Sequence, residues 1–334
     1  MRFHLNRALV AGALATALAL AGCSGTSSQS GSESGAQSQP SASSTAAPTV
    51  DRSGSGNFPA VTGAFGEKPT IAAGSGAEPT QIIVKTLSQG KGAEVSTDDA
   101  VLADYAGALW NGTVFDSSFT KGSPVAFSLG SVIQGWKYGL AGQHVGDRVE
   151  LVIPSQWGYG ETGSGDAQSG KEATIPANAT LVFVVDIIDA ASTTDTSALT
   201  GATPTDDALP AGVKVSGDLG AEPKITFSGD TQPATAETVI AKGKGAEITS
   251  GDYVVYQYSA TYSKTLNYAY STWTTGAQVS GSGVSQLVGQ TVGSRILLTT
   301  APTGSSSTAQ SGDPGIEEST LMVVDILGVL HAGS

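Results

Sequence analysis

An internal repeat constrains this chain more than any other feature of its sequence. Four segments of the first half recur in the same order in the second half. The matched segments are 90–95 with 243–248, 101–105 with 254–258, 140–149 with 287–296, and 181–188 with 320–327. Ordered matches of this kind are typical of a duplicated fold. We therefore predict two domains of one architecture, residues 58–190 and 209–334, joined by a linker at residues 191–208.

The hydrophobic pattern of the first half predicts mainly strands. Apolar residues alternate with other residues in the segments that begin at Val101, Val149 and Leu181, as in strands with one buried face. Residues 131–141 differ, because their apolar residues recur at helical spacing, and Gly142 is placed to end that helix. We predict the α+β class: a curved antiparallel β-sheet wrapped on one short helix, present twice.

Residues 1–22 have the composition of a signal peptide. Arg2 and Arg7 precede an apolar run that is too short to span a bilayer. The run ends in Leu-Ala-Gly-Cys, which resembles the lipobox of bacterial lipoproteins and implies that Cys23 is lipidated. Two acyl chains would hold the protein at the extracytoplasmic face of the cell membrane. The alternative is a simple secretory signal in which Cys23 has no role.

The next segment, residues 23–57, is dominated by Ser, Gly, Gln, Thr and Ala. Such a composition buries too little apolar surface to offset the entropy of ordering the chain. We therefore predict a disordered tether between the lipidated cysteine and the first domain.

The counts of cysteine and histidine exclude several classes of site. The chain has 1 Cys and 3 His, and Cys23 lies outside the predicted domains. A disulfide framework, a His/Cys metal centre and a Cys-His dyad in the domains are therefore excluded. The formal net charge of −13 disfavours binding to nucleic acid and is explained by solubility. We expect no metal, no cofactor and no nucleic-acid partner.

Several ordered motifs give the first half a family resemblance. Residues 105–118 read Tyr-x-Gly-x-Leu-x-Asn-Gly-x-x-Phe-Asp-Ser-Ser, which strongly resembles the FKBP-type peptidyl-prolyl isomerases. Further elements of that family's pattern follow in order at 124–130, 132–140, 153–160 and 175–183. Each element alone is weakly specific, but the ordered set is highly specific. The resemblance covers about a third of the chain and implies an isomerase that acts on proline-containing polypeptides.

Carried over position by position, the resemblance implies two groups of site residues. The implied catalytic residues are Tyr105, Phe115, Asp116, Trp136, Tyr159 and Phe183. The implied substrate-binding residues are Val125, Val132, Ile133 and Ile175. Trp136 would form the pocket floor, and the Tyr159 hydroxyl and the Ile175 backbone N–H would bind peptide carbonyls. Many family members carry an aromatic residue at the position of Val125, so we expect one wall to be less bulky here.

The implied reaction needs no histidine, because rotation about an X–Pro bond breaks no σ-bond and moves no proton. We expect the enzyme to assist the folding of exported proteins. Two other interpretations stay open. The first is that Phe115, Trp136 and Phe183 are ordinary core residues, because their spacing alone is also typical of core aromatics. The second is that the domains form a peptide-binding chaperone or adhesion module without turnover.

The second half lacks most of the implied pocket. Residues 268–272 contain no Phe-Asp pair, residues 278–283 replace the segment that contains Trp136, and Met322 stands at the position of Phe183. We predict a degenerate FKBP-like domain with little isomerase activity that holds clients or docks a partner. The Thr- and Ala-rich linker favours loose coupling between the two domains.

Overall fold

The computed structural model describes residues 47–165, 174–266, 270–280, 285–302 and 317–332. The predictions for the signal peptide, for lipidation at Cys23 and for the tether up to residue 46 lie outside these residues. Within the described ranges, no helix is both long enough and apolar enough to cross a membrane.

A seven-stranded sheet forms the first half of the folded chain. Its strands are β1 (Val50–Asp51), β4 (Ile82–Ser88), β5 (Asp99–Leu109), β6 (Val114–Ser117), β7 (Val125–Ser128), β8 (Arg148–Ile153) and β9 (Leu181–Ser192). The order across the sheet is β1-β4-β8-β9-β5-β6, and β7 also pairs with β5. All pairs are antiparallel except β1 with β4. Strands β2 (Val61–Thr62) and β3 (Thr70–Ile71) form a separate hairpin.

The predicted helix is present as α2, which spans Gln134–Leu140 and packs on the sheet through Trp136 and Leu140. Close packing depends on Gly135, because a Cβ atom there would lie 2.3 Å from Ile153 Cγ2. A single-turn helix, α1 (Ser118–Lys121), and a 3-10 turn at Ser155–Trp157 complete this half. Another single-turn helix, α3 (Ser197–Thr200), follows in the predicted linker.

A second seven-stranded sheet has a matching strand order, β10-β13-β17-β18-β14-β15, with β16 also paired to β14. Its strands are β10 (Thr203–Pro204), β13 (Ala236–Lys242), β14 (Tyr253–Tyr262), β15 (Tyr270–Ser271), β16 (Gln278–Ser280), β17 (Arg295–Thr300) and β18 (Thr320–Leu330). Strands β11 (Val213–Ser216) and β12 (Lys224–Phe227) form its hairpin, and a 3-10 turn at Ser285–Leu287 follows β16. The two halves thus share one strand topology.

Each sheet contains one buried ion pair at an equivalent position. Arg148 Nε lies 2.6 Å from Asp186 Oδ1, and Arg295 Nε lies 2.7 Å from Asp325 Oδ1. Each guanidinium also donates to two backbone carbonyl oxygens in the turn of the neighbouring hairpin. The fork of five donors suits an arginine to this role, and it joins hairpin to sheet in both halves.

Two segments whose composition predicts disorder or loose coupling take part in the fold. Strand β1 lies inside the predicted tether, and Arg52 beside it donates to the carbonyl oxygens of Tyr138 and Ala141 at 2.6 and 2.8 Å. In the predicted linker, Leu199 is fully buried and β10 pairs with β13. A few apolar and pairing residues are sufficient to order such a segment when a sheet edge lies beside them.

The prediction of loosely coupled halves is wrong, because the two sheets share an apolar interface. Ala100 and Leu102 on β5 belong to the same buried cluster as Val255 and Leu330 of the second sheet. The Tyr253 hydroxyl donates to the Pro124 carbonyl oxygen at 2.8 Å across this interface. Consequently β5 is buried on both faces rather than on one.

Candidate active site

Five aromatic side chains from five different elements meet at one end of the first core. They are Tyr105 on β5, Phe115 on β6, Phe127 on β7, Trp136 on α2 and Phe183 on β9. The Trp136 ring lies 5.1 Å from that of Phe127, 5.3 Å from that of Phe183 and 5.5 Å from that of Tyr105, in each case edge to face. This geometry is favourable for aromatic rings and places Trp136 at the centre of the cluster.

The rings can approach β5 because residue 107 is glycine. A Cβ atom at Gly107 would lie 2.7 Å from Phe115 Cζ and 2.7 Å from Phe183 Cε1. The rings of Phe115 and Phe183 are themselves in edge-to-face contact at 5.6 Å. The glycine in the Tyr-x-Gly motif is therefore required by packing around the site.

Asp116 lies at the rim of this cluster and has three hydrogen-bond donors. The Tyr105 hydroxyl donates to Oδ2 at 2.5 Å, Lys121 Nζ lies 2.7 Å from Oδ1, and the Ser117 N–H donates to Oδ1 at 2.8 Å. Burial acts to raise the pKa of Asp116, but Lys121, Tyr105 and Ser117 outweigh it and hold that pKa below its ordinary value. The carboxyl group is therefore ionised at neutral pH.

The two tyrosines near Asp116 keep their protons. Burial raises the pKa of Tyr105 well above its ordinary value, and the hydrogen bond to Asp116 and its negative charge raise it further. Burial followed by the charge of Asp116 also raises the pKa of Tyr159. Among the described residues, none forms a hydrogen bond with the Tyr159 hydroxyl, so this group is a neutral donor open to a ligand.

The structure brings the implied substrate-binding residues to the same place. Ile133 and Ile175 are buried in the core cluster that contains Trp136, and Val125 and Val132 pack against it while half-buried. The ten residues implied by the resemblance thus lie together. Nine of them belong to this apolar cluster or pack against it, and the tenth, Asp116, is hydrogen-bonded to Tyr105 at the edge of the cluster.

One group implied to bind a peptide carbonyl, the Ile175 backbone N–H, has an intramolecular partner in this structure. The Ile175 N–H already donates to the Ser164 carbonyl oxygen at 2.9 Å, and the Ser164 N–H donates back to the Ile175 carbonyl oxygen at 2.9 Å. Gly163 allows this close approach, since a Cβ atom there would lie 2.2 Å from the Ile175 oxygen. The bridge between two segments of one loop depends on tertiary geometry, and the motif around Ile175 does not reveal it.

Sequence reasoning missed two further residues at the site. Phe127 is visible in the motif and alternates with Val125, yet only its contacts with Tyr105 and Trp136 place it in the pocket wall. Lys121 carries no signal in the sequence. It reaches Asp116 because α1 turns the chain directly after β6.

The second sheet has different residues at the equivalent positions. Pairing places Tyr270 opposite Ala260, as it places Asp116 opposite Gly107. The prediction that residues 278–283 replace the segment containing Trp136 is wrong for 278–280, because these residues form β16, the counterpart of β7. The 3-10 turn at Ser285–Leu287 leads toward β17 as α2 leads toward β8. Tyr268 and Ala269, which begin the segment at the place of the Phe-Asp pair, lie outside the described residues.

Three tyrosines share one face of the second sheet. The rings of Tyr256 and Tyr258 lie 6.1 Å apart, and those of Tyr258 and Tyr270 are stacked at 5.6 Å. Burial raises the pKa of Tyr258 above its ordinary value, and the neighbouring tyrosines reinforce this shift. This tyrosine cluster occupies the side of its sheet on which the aromatic cluster of the first sheet lies.

Comparison with known proteins shows that residues 91–188 match the family described as FKBP-type peptidyl-prolyl cis-trans isomerase. A "Probable FKBP-type peptidyl-prolyl cis-trans isomerase" of Haemophilus influenzae is 42% identical over 121 residues, 36% of this chain and 47% of that protein. "Peptidyl-prolyl cis-trans isomerase FKBP15-1" of Arabidopsis thaliana is 42% identical over 110 residues, 32% of this chain and 67% of that protein.

Among solved structures, FkpA from Escherichia coli is 36% identical, with 33% of this chain and 48% of that chain covered and a TM-score of 0.29. The match spans about half the length of the first curated relatives, from 47% to 64% of each.

Proposed function

We propose, because this chain belongs to the FKBP-type peptidyl-prolyl cis-trans isomerase family, that its first domain catalyses the cis/trans isomerisation of X–Pro bonds in polypeptides. The observation that carries the proposal is the aromatic cluster centred on Trp136, with ionised Asp116 at its rim. The Tyr159 hydroxyl, which has no hydrogen-bond partner among the described residues, lies against the same cluster. An apolar pocket with a few placed polar groups is the usual form of a small-ligand site.

The reaction must overcome amide resonance, a barrier of about 18–20 kcal/mol. The planar amide is more dipolar than the twisted transition state, so an aromatic pocket that excludes water destabilises the planar state more than the twisted one. Catalysis then comes from differential binding, without a covalent intermediate or a proton transfer. Trp136 would form the floor beneath the proline ring.

Polar groups at the rim would orient the peptide on either side of the proline. The Tyr159 hydroxyl is the donor that we assign to a peptide carbonyl, because the Ile175 N–H already has Ser164 as its partner. Asp116 would act by holding Tyr105, whose ring is one wall, through the 2.5 Å hydrogen bond. It would thus keep the pocket in shape without taking a proton.

A protease-coupled assay of proline isomerisation on the chain without its signal peptide tests this proposal. We expect acceleration by the wild-type chain, a strong loss in Trp136→Ala and a partial loss in Asp116→Ala. Met322→Ala, at the position that matches Phe183 in the second domain, is the control and should retain the wild-type rate. No acceleration by a folded wild-type chain would contradict the proposal.

For the second domain we propose a degenerate FKBP-like fold that binds polypeptides without turnover. The tyrosine cluster of Tyr256, Tyr258 and Tyr270 supports this function, because proline-containing segments dock on aromatic side chains. Binding of a permanently unfolded protein to the Trp136→Ala chain tests it. Adding Tyr258→Ala and Tyr270→Ala should weaken this binding, and an unchanged affinity would refute the role of the cluster.

We further propose that the protein acts on exported polypeptides outside the cell, anchored through lipid on Cys23. The support is that the single cysteine of the chain ends the apolar N-terminal run. Metabolic labelling with a radioactive fatty acid should mark the wild-type protein and not Cys23→Ser. Release of Cys23→Ser into the medium is expected, and retention of that variant in the membrane would contradict the anchor.

A further inference from the structure

We infer that the second domain positions β7, the strand that carries one wall of the candidate pocket, and that Tyr253 is the positioning residue. This inference rests on the proposed isomerase function of the first domain. It assigns the second domain a task in that reaction besides any binding of its own.

Strand β7 presents its two faces to two different environments. Val125 and Phe127 point into the first core, where the Phe127 ring lies 5.1 Å from that of Trp136 and 5.7 Å from that of Tyr105. Ala126, between them, packs instead into the apolar interface with the second domain. Any movement of β7 relative to the second domain therefore moves a wall of the pocket.

Within the first domain, β7 is a short strand at the edge of the sheet. The strand has only four residues, Val125–Ser128, and among the strands that the structure describes it pairs with β5 alone. The connection from α1 runs through Gly122, which has a left-handed φ of 80° and around which an added Cβ would meet nothing within 4 Å. A short edge strand next to an open loop is among the first elements of a sheet to open.

The second domain supplies contacts at the start and at the middle of β7. The Tyr253 hydroxyl donates to the carbonyl oxygen of Pro124, directly before the strand, at 2.8 Å. Proline has no N–H, so this carbonyl is the one backbone group through which Pro124 can be held. Val279 of β16 packs in the same apolar cluster as Ala126. Tyr253 is itself fixed, because β14 pairs with β18 over its whole length.

These contacts predict a specific kinetic effect. A displaced Phe127 would weaken the grip on the proline ring equally in the ground state and in the transition state. Loss of such uniform binding raises KM and leaves kcat nearly unchanged. A general loss of stability would instead lower the fraction of folded enzyme and reduce kcat.

The test uses the whole chain without its signal peptide, in the forms Tyr253→Phe, Val279→Asp and Gln278→Asp. Tyr253→Phe deletes one hydroxyl, and Val279→Asp places a charge in the interface. Gln278→Asp introduces the same residue one position away on β16, where the side chain is exposed, and serves as the matched control. Each variant is assayed for KM and kcat and for hydrogen exchange of the peptide that covers residues 122–130.

For Tyr253→Phe we expect about fivefold faster exchange in residues 122–130, as for loss of one hydrogen bond, and a KM about two- to fivefold higher. For Val279→Asp we expect both effects to reach about tenfold, with kcat within about twofold of wild type. Gln278→Asp should change neither quantity. Exchange in β8, away from the interface, should be unaffected in all three variants.

Faster exchange without a change in KM, or a lower kcat at constant KM, would overturn the positioning role. If the wild-type chain proved inactive, the proposed function would fail. The exchange difference between Val279→Asp and Gln278→Asp would then still decide whether the second domain holds β7.

Discussion

The two seven-stranded sheets share the contacts that join their strands and differ in the residues that stand at the place of the pocket. In both, an arginine–aspartate pair is buried at the same position, Arg148 with Asp186 and Arg295 with Asp325. At the place of the aromatic cluster, by contrast, the second domain carries Tyr258 and Tyr270 in a stack. A fold can therefore be retained while its site changes, and activity has to be argued from the site.

A single pair of small residues illustrates the difference. Gly107 leaves room for the rings of Phe115 and Phe183, which lie 2.7 Å from where a Cβ atom would stand. The equivalent residue of the second domain is Ala260, and its Cβ occupies that space. The aromatic cluster of the first domain could not be built on β14 without also replacing this alanine.

The largest expected effect tests whether the two ion pairs have the same role. Arg148→Met and Arg295→Met would each leave a buried, unpaired aspartate, at a cost of about 3–5 kcal/mol in the free energy of unfolding. Urea denaturation measures this cost. Lys224→Met, which removes an exposed charge of the second domain, is the control and should have little effect. A cost below about 1 kcal/mol for one of the two arginines would break the equivalence.

The next effect concerns Glu150, which stands where the second domain has Leu297. Glu150 is buried, and its Oε1 has no hydrogen-bond partner among the described residues. Burial raises its pKa to about 7, although the charge of Lys85 opposes the shift. The folded state thus binds this proton more tightly than the unfolded state, whose pKa is near 4.5. Stability from this group is therefore lost as the pH rises from about 4.5 to about 7.

Glu150→Leu, which imports the residue of the second domain, should therefore stabilise the protein. We expect about 1–3 kcal/mol at pH 8 and little difference from wild type near pH 4. Thermal unfolding over this pH range measures it, and Glu150→Gln separates the charge from the packing. A gain that is independent of pH would show that packing, and not ionisation, distinguishes the two residues.

Exchanging the residues at the equivalent positions 183 and 322 should have a smaller effect, and it should change the activity of the first domain only. Phe183→Met places the second domain's residue in the first pocket and removes two edge-to-face contacts, with Trp136 and Phe115. We expect kcat/KM to fall by roughly five- to thirtyfold, as for about 1–2 kcal/mol of lost aromatic contact. The reverse exchange, Met322→Phe, should create no new activity in the Trp136→Ala chain. Activity gained there would mean that the second site lacks only one residue.

The smallest effect is expected for the hydroxyl of Tyr105. Tyr105→Phe removes the donor to Asp116 and keeps the ring, so kcat/KM should fall by about two- to tenfold, as for the loss of about 0.5–1.4 kcal/mol from a hydrogen bond to a partly exposed carboxylate. Tyr258→Phe makes the same change in the second domain and should leave the rate of isomerisation unchanged. Equal losses in both variants would indicate that turnover is not confined to the first domain.

Local patterns predicted much of this molecule and failed at identifiable places. The alternation in β5 predicted that Val101 and Tyr105 face the core, and the spacing after residue 131 predicted α2. The family motifs predicted that the residues around Trp136 lie in one site. The same reasoning did not predict that Ala100 and Leu102 are buried against the second sheet, because the pattern along one strand does not show what packs on its other face.

By itself, the amino-acid sequence predicted the strand and helix periods, since these depend on neighbours along the chain. Its repeat predicted two related halves, and its motifs predicted four of the five rings of the aromatic cluster, all but Phe127. Only the tertiary structure decided that the halves share a core at Leu102 and Leu330, that the Ile175 N–H is occupied, and that Tyr253 reaches Pro124. Each of these contacts joins residues from separate strands or loops. Their free energy depends on how two surfaces meet, and no local pattern of residues records that geometry.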